Sequence, residues 1–527
     1  MRRPSWLLLG ILAAPSVARA GGFEQPDNGT APLGRAGAFT ARASDGTAFQ
    51  YNIAGLAGQR GNNLMLLSNF TDLEYCFTRA GNYPSTYGLY PDTPYSKAGP
   101  MCDNHPIWHG IGPMLGFSTD LGFRRGPVFG LGVYGPSSIL RTGYSQNGED
   151  TDHPELVQWT EPNGRTFTTW APNRFDLVDD KLDVIYITPA VAYEVMPGLR
   201  FGAAFQWVYS RFEFTNYGAL GIDDPTGPAA KNHLVVTDIF TPAFMLGAQY
   251  RLGKNFEFGL GFRWSAPFDA DGDLEITAQE IKAGEDPVDG SDDYVQDIGR
   301  DTVSAELEVG QAAQLRVGAR FFLPRARQVA GATDAGSAPE KPWDPMVDEV
   351  FDVEFDYMYE ANSAIAFLAV SSNDRIELRD DNGDLVIASD PMGSMELPHY
   401  YKNNHSFRIG GDWNFLPGLV TGRLGVSYET SSAPVRYTLL DFAPFRRLGL
   451  HFGATVRLGP VDVSLAYAHT FQPPRTVTNG GGRIAAPQGL CDPESFDDDE
   501  RAAACVTNNG DYDANFDAIS IGTMWHF

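Results

Sequence analysis

The chain has 527 residues, 43% of them hydrophobic and 12% aromatic, with 57 glycines. Lysine and arginine number 39 against 66 aspartate and glutamate, a formal net charge of 39 − 66 = −27. The apolar content excludes a disordered chain, the acidic balance excludes a nucleic-acid binder, which needs cations to displace phosphate counterions, and no internal apolar run reaches the roughly 18 to 20 residues of a membrane-crossing helix.

At the N-terminus, Arg2 and Arg3, the apolar run Trp6 to Ala14 and the small-residue site Ala18-Arg19-Ala20 read as a secretory signal peptide over residues 1–20. The mature chain then begins at Gly21, and the absence of a cysteine at the cut argues against lipoprotein processing. Residues 21–62 do not alternate. Asp45 is placed to cap a short helix running toward Tyr51, and the stretch is expected to form a small, partly helical plug. The alternative, a loose tail, fits less well because such tails are usually charged and poor in aromatics.

From residue 63 to 527 the dominant pattern has a period of two. Phe256, Phe258, Leu260, Phe262 and Trp264 share one face, and Glu257, Gly259, Gly261 and Arg263 the other. Leu448 to Leu458 repeats the division. Fourteen such segments are predicted, at 63–77, 111–122, 128–140, 182–195, 199–214, 234–252, 256–275, 302–323, 350–368, 400–415, 419–430, 446–458, 461–471 and 514–527. Their connections alternate between tight turns and long loops, with 324–349 the exception. An even number of long strands with turns at one end and loops at the other predicts an all-β fold, a 14-stranded antiparallel transmembrane β-barrel enclosing the plug. The last strand ends on the aromatic Phe527, which resembles the terminal signal read by outer-membrane insertion machinery. Trp207, Tyr209, Trp264, Tyr357, Tyr359, Trp413, Tyr467 and Trp525 lie near strand ends, where interfacial girdles require them.

Cys76 and Cys102 bracket the first long loop, while Cys491 and Cys505 lie within the last. Four cysteines permit three pairings, and local pairing, Cys76 with Cys102 and Cys491 with Cys505, keeps each bridge inside one loop. Free thiols are the alternative.

Leu33-Gly34-Arg35-Ala36, Asp45 and Tyr51-Asn52-Ile53-Ala54-Gly55-Leu56 resemble the plug segment of the FadL family of outer-membrane transporters for long-chain fatty acids and aromatic hydrocarbons. Asn52-Ile53-Ala54 stands where that family carries Asn-Pro-Ala. Further segments, among them Phe129 to Pro136, Thr188 to Tyr193, Arg263 to Pro267, Phe355 to Tyr357 and Arg423 to Tyr428, are similar to family signatures in the same order. The resemblance covers nearly the whole mature chain. It implies a monomer in the outer membrane of a Gram-negative cell, surrounded by lipid and lipopolysaccharide, with hydrophobic cargo released sideways through a kink in the third strand. Gly135-Pro136 is the matching position, since proline removes a ladder hydrogen bond; a bulge near the rim is the other reading. Pro189 and Pro242 also fall inside predicted strands.

The inward register carries Arg263, Arg316, Arg320, Arg408, Arg423, Arg447 and Arg457, together with Glu257, Asp352, Glu354, Asp356, Asp412, Glu429 and Asp462. Arg316 and Arg320 are expected to pair with Glu354 and Asp356 across the wall. Arg263, Arg316, Arg320, Arg408 and Arg423 are the candidate cations for an anionic head group. No metal site or cofactor is expected: Asp269-Ala270-Asp271-Gly272-Asp273 lacks the loop glycine and closing glutamate of a calcium-binding hand, and Asp497-Asp498-Asp499-Glu500 reads as a solvated loop. Neither G-x-S-x-G nor H-E-x-x-H nor a phosphate loop occurs, which disfavours an enzyme. The expected function is passive transport of hydrophobic compounds, long-chain fatty acids first, with a channel for small aromatic hydrocarbons or a general diffusion porin as alternatives. Long acidic loops are compatible with an added adhesin role.

Overall fold

The computed structural model describes residues 28–83, 93–105, 111–123, 126–136, 141–149, 151–220, 228–282, 295–325, 343–441, 445–478, 480–484 and 506–527. The signal-peptide residues, Cys491, Cys505 and the run from Asp497 to Glu500 lie outside them.

Alternation along the chain converts directly into a wall with two chemically different faces. Fourteen strands form it: β1 (Asn62–Arg79), β2 (Ile111–Thr119), β3 (Val128–Tyr134), β4 (Asp179–Met196), β5 (Leu199–Ala219), β6 (Ala229–Leu252), β7 (Phe256–Ser265), β8 (Gln314–Pro324), β9 (Glu349–Glu360), β10 (Asn404–Leu416), β11 (Val420–Glu429), β12 (Arg447–Leu458), β13 (Val461–Phe471) and β14 (Gly510–His526). Each pairs antiparallel with the next, and β14 returns to β1 from Asn63↔His526 to Arg79↔Gly510. Closure removes the free edges that a membrane does not tolerate. Along β7, Phe256, Phe258, Leu260, Phe262 and Trp264 are exposed on the outside, while Glu257, Gly259, Arg263 and Ser265 are buried inside. The same apolar belt recurs on the other strands, with Trp413 59% and Leu465 55% exposed. A continuous apolar girdle of this extent is a surface for lipid.

Four expected strands need correcting. The segments 256–275, 302–323 and 350–368 are each interrupted, at 266–267, 310–313 and 361–366. Pro267 has no N–H to continue a ladder, and the other two breaks meet where Ala361 N–H donates to the Ala313 carbonyl at 2.9 Å. Past these breaks, strands Phe268–Ile281, Val295–Val309, Phe367–Ser372 and Gly393–Pro398 continue from the upper half of β6 as a sheet on the long-loop side, which is the extracellular side. The segment 128–140 ends as a barrel strand at Tyr134, so Pro136 lies beyond the ladder and not within it. Pro189 and Pro242 do sit within strands, β4 and β6, and Pro242 follows a register shift between Asp238 and Thr241. Cys76 and Cys102 form a disulfide joining β1 to the short strand Met101–Asp103.

Inside the barrel, residues 28–61 form two helical turns, α1 (Thr30–Gly34) and α2 (Ala48–Tyr51), and a 3₁₀ segment, Ile53–Gly58. Almost all of this plug is buried. Its main chain lies against inward glycines: a Cβ on Gly259, Gly318, Gly410 or Gly425 would sit 2.1 to 2.8 Å from backbone atoms of Arg35, Thr40 or Ala41. Gly202 and Gly247 face Ile53 and Ala54 in the same way, and Gly130 and Gly132 receive the Phe49 ring. Only a missing side chain permits so close an approach.

Substituting Gly410→Val, whose Cβ would meet the Arg35 carbonyl at 2.1 Å, is expected to displace the plug while leaving the wall intact. Planar-bilayer recordings should then show a larger, steadier conductance than the unaltered protein; equal conductance would contradict the seating.

Candidate functional site

Buried charge fixes the lower lumen. Arg35, fully buried at the end of α1, holds Asp352 of β9 at 2.6 Å and Asp412 of β10 at 2.6 Å, with Glu354 at 3.3 Å. Arg42 pairs with Asp352 and, at 2.9 Å, with Asp412. The plug backbone completes the set: Phe39 and Thr40 N–H groups donate to Asp356 at 3.0 and 2.9 Å, and Ala41 N–H to Glu354 at 2.6 Å. Carboxylates removed from water require such partners. The lower lumen is therefore a lock between plug and wall.

The expected plug motif has a defined local role. Asn52 caps the 3₁₀ segment by accepting from Ala54 N–H at 3.1 Å, and its amide donates to the Thr40 carbonyl at 2.8 Å and to the Ala248 carbonyl of β6 at 3.0 Å. Ile53 and Ala54 are buried against Gly202 and Gly247.

The five candidate cations separate into two groups. Arg320 is bound by Glu257 at 2.5 Å, Asp352 at 3.0 Å and Glu349, which corrects the expected partners Glu354 and Asp356. Arg423 is held by Asp412 at 3.2 Å and the Thr455 hydroxyl at 2.5 Å. Arg408 lies 3.8 Å from Glu429. The other two rest on aromatic faces, Arg263 4.5 Å above Tyr186 and Arg316 4.8 Å above Tyr51. Arg316 has no ion-pair partner among the described residues, contrary to the expected pairing.

Above the lock lies an apolar cavity of about 610 Å³, lined by Leu234, Leu274, Leu307, Leu368, Val370, Leu378 and Met395 among others. Several of these side chains belong to one contiguous buried cluster, which descends through Phe212, Val208, Tyr186 and Tyr134 to Phe49 and Tyr51 of the plug. Tyr134 of this cluster directly precedes Gly135-Pro136 in the wall. β3 pairs with β4 only as far as Tyr134↔Tyr186, and pairing on that side of β4 resumes at Arg141↔Lys181. Leu182 to Ile185 therefore have no ladder partner there among the described residues. The Gly135 carbonyl instead accepts from the Asn28 side chain at 3.2 Å, and the Asn28 carbonyl accepts from the Tyr51 hydroxyl at 2.9 Å.

Sequence reasoning placed Arg35 in the plug but not in the lock, because its partners lie more than 300 residues away. It also missed a polar set on the cavity wall. His399 is fully buried, its Nδ1 facing the Leu397 carbonyl at 3.0 Å and its Nε2 the Asp441 carboxylate at 2.6 Å, with Asp176 on the same wall. Burial pushes the His399 imidazole down, but the Asp441 charge and the two hydrogen bonds outweigh it and hold the group above its ordinary value.

The barrel superposes on solved outer-membrane proteins along nearly its full length. A FadL homologue from Pseudomonas aeruginosa gives a TM-score of 0.64 at 15% identity, covering 96% of this chain and 100% of that one. The toluene transporter TodX of Pseudomonas putida gives 0.55 at 14% identity, over 92% and 94%. The CymD monoaromatic hydrocarbon channel gives 0.54 at 15% identity, over 95% and 97%. No protein-family model and no curated protein sequence matches the chain. The fold is thus that of the FadL-type barrels.

Two outcomes follow from the buried charges. Arg35→Ala leaves Asp352 and Asp412 short of a partner and should destabilise the solubilised barrel by about 3–5 kcal/mol, read as a fall in thermal or denaturant midpoint; an unchanged midpoint would refute the lock. For the His399–Asp441 pair, whose histidine is raised, the stabilisation is full below about pH 6.5 and is lost as pH rises through the folded value. His399→Gln should therefore remove an alkaline loss of stability from the unfolding profile, and identical profiles would show that the pair does not contribute.

Proposed function

We propose that this chain is a passive conduit for hydrophobic compounds in the outer membrane of a Gram-negative cell. Cargo binds in the apolar cavity above the plug, follows the aromatic path to Tyr134 and leaves sideways past Gly135-Pro136 into the lipid. The observation that carries the reading is the cavity itself: about 610 Å³, walled mainly by aliphatic side chains and continuous with the plug through one buried apolar cluster. Burial of apolar area drives binding without direction, and a lateral exit spares the cargo a passage through water. The locked plug disfavours a general diffusion porin. The same fold serves a toluene transporter and a monoaromatic hydrocarbon channel, which supports this class of cargo. A closed barrel with no free strand edge and a continuous lipid-facing belt favours a monomer contacting lipid and lipopolysaccharide. No step here calls for catalysis or a cofactor.

No lysine or arginine among the described residues lines the cavity, so we place hydrophobic compounds without an anionic head group first. Long-chain fatty acids are the second reading, favoured by Arg316, whose guanidinium stands over Tyr51 without an acidic partner among the described residues and is placed to take a carboxylate at the lower end of the path.

Equilibrium binding of radiolabelled naphthalene to the purified, detergent-solubilised barrel tests the proposal. Saturable binding is expected, and Leu307→Trp, which fills the cavity, should weaken it about tenfold or more, the loss of roughly 1.4 kcal/mol of contact. Absence of saturable binding would overturn the cavity reading. Gly135→Val with Pro136→Val, which lets the ladder continue, should leave binding intact and slow uptake into cells; unchanged uptake would remove the lateral exit.

A further inference from the structure

Among the described residues, acidic groups outnumber basic ones on the wall of the apolar cavity. Its ionisable lining residues are Asp176, Asp390, His399 and Asp441. His399 and Asp441 satisfy each other at 2.6 Å. Asp390 is exposed. Asp176, on the segment entering β4, is different. It is only partly buried although it sits on the cavity wall, and it accepts a single hydrogen bond, from Leu440 N–H to Oδ2 at 3.2 Å. Its Oδ1 has no partner among the described residues.

Arg79 acts on Asp176 electrostatically, but its guanidinium is engaged elsewhere. It donates to the Pro172 carbonyl at 3.1 Å and the Val506 carbonyl at 3.3 Å, and lies 4.1 Å over the Tyr95 ring. Burial first, and then the neighbouring Asp441 charge, push the Asp176 carboxyl well above the usual carboxylate range. A cation arriving at Oδ1 would reverse that penalty.

We propose that the cavity favours hydrophobic amines, the apolar body filling the aliphatic space and the ammonium donating to Asp176 Oδ1. This rests on the cavity being the cargo site. An ammonium brings both a positive charge and the hydrogen bonds, and charge-assisted bonds are the strong ones. An alcohol brings a hydrogen bond without the charge. A carboxylate of the same size meets Asp176 and Asp441, and His399, the lining group among the described residues that can carry positive charge, is already engaged by Asp441. Head-group discrimination therefore occurs at the cavity, ahead of the lumen arginines.

The test is displacement of radiolabelled naphthalene from the full-length, detergent-solubilised protein at neutral pH by 1-naphthylmethylamine, 1-naphthalenemethanol and 1-naphthoate, which share one apolar body. The amine should displace at about tenfold lower concentration than the alcohol, with naphthoate weakest. Asp176→Asn should erase the amine's advantage over the alcohol, both read against naphthalene on the same variant, whose saturable binding reports that the cavity is intact; Asp176→Glu should keep the advantage. If naphthalene binds but the amine shows no advantage, the preference is overturned and the cavity reading stands. If the advantage survives Asp176→Asn, the ammonium is held elsewhere and the assignment to Asp176 falls. If naphthalene itself does not bind, the cavity reading fails with it.

Discussion

A membrane-embedded barrel must satisfy its polar groups from within, and at β9 and β10 of this protein that requirement is met by an ionic lock. Lipid covers the outer face, so carboxylates on the inner face of β9 and β10 can be neutralised only by what the lumen contains. Arg35 and Arg42 of the plug, Arg320 and Arg423 of the wall, and the backbone N–H groups of Phe39 to Arg42 together surround Asp352, Glu354, Asp356 and Asp412. Removing either side leaves buried charge unanswered, which makes plug and wall one unit in energy as well as in space.

That lock divides the lumen by chemistry. Below it lies a recess of about 360 Å³ with ionisable residues on its border, Arg42, Asp45, Arg60, Asp344, Arg457 and His526. Above it lies the larger aliphatic cavity, and the route that remains apolar from there runs to the side, along Phe212, Val208, Tyr186 and Tyr134. On the proposed route, a hydrophobic solute meets ionisable groups straight ahead and continuing apolar surface toward Gly135-Pro136. Direction needs no moving part in this arrangement; it follows from where water-like and oil-like surfaces have been put.

The wall was legible in the sequence because a strand has a period of two and a barrel in lipid makes both faces informative. The inward position of Arg263, Arg316, Arg320, Arg408 and Arg423 followed from that register alone. What those arginines touch did not follow, since Arg320 finds Glu257, Glu349 and Asp352 through side-chain reach that strand alternation does not encode. Three strand segments ran together because the breaks at 266–267, 310–313 and 361–366 are short beside the strands they separate, and only Pro267 marks one of them. The polar set on the cavity wall was invisible for another reason: Asp176, His399 and Asp441 come from three separate connections, and connections have no period from which a facing direction could be read.

The glycine belt also bears on how this scaffold can change. At Gly259, Gly318, Gly410 and Gly425 the wall meets the plug's main chain. The glycines therefore read the path of the segment, while the identity of Arg35 and Arg42 is read separately by the lock. Side chains of the plug that turn toward the lumen can be exchanged without refitting the belt, whereas any side chain added to the belt moves the whole insert. Variation in selectivity is thus cheap on one partner of the interface and nearly forbidden on the other.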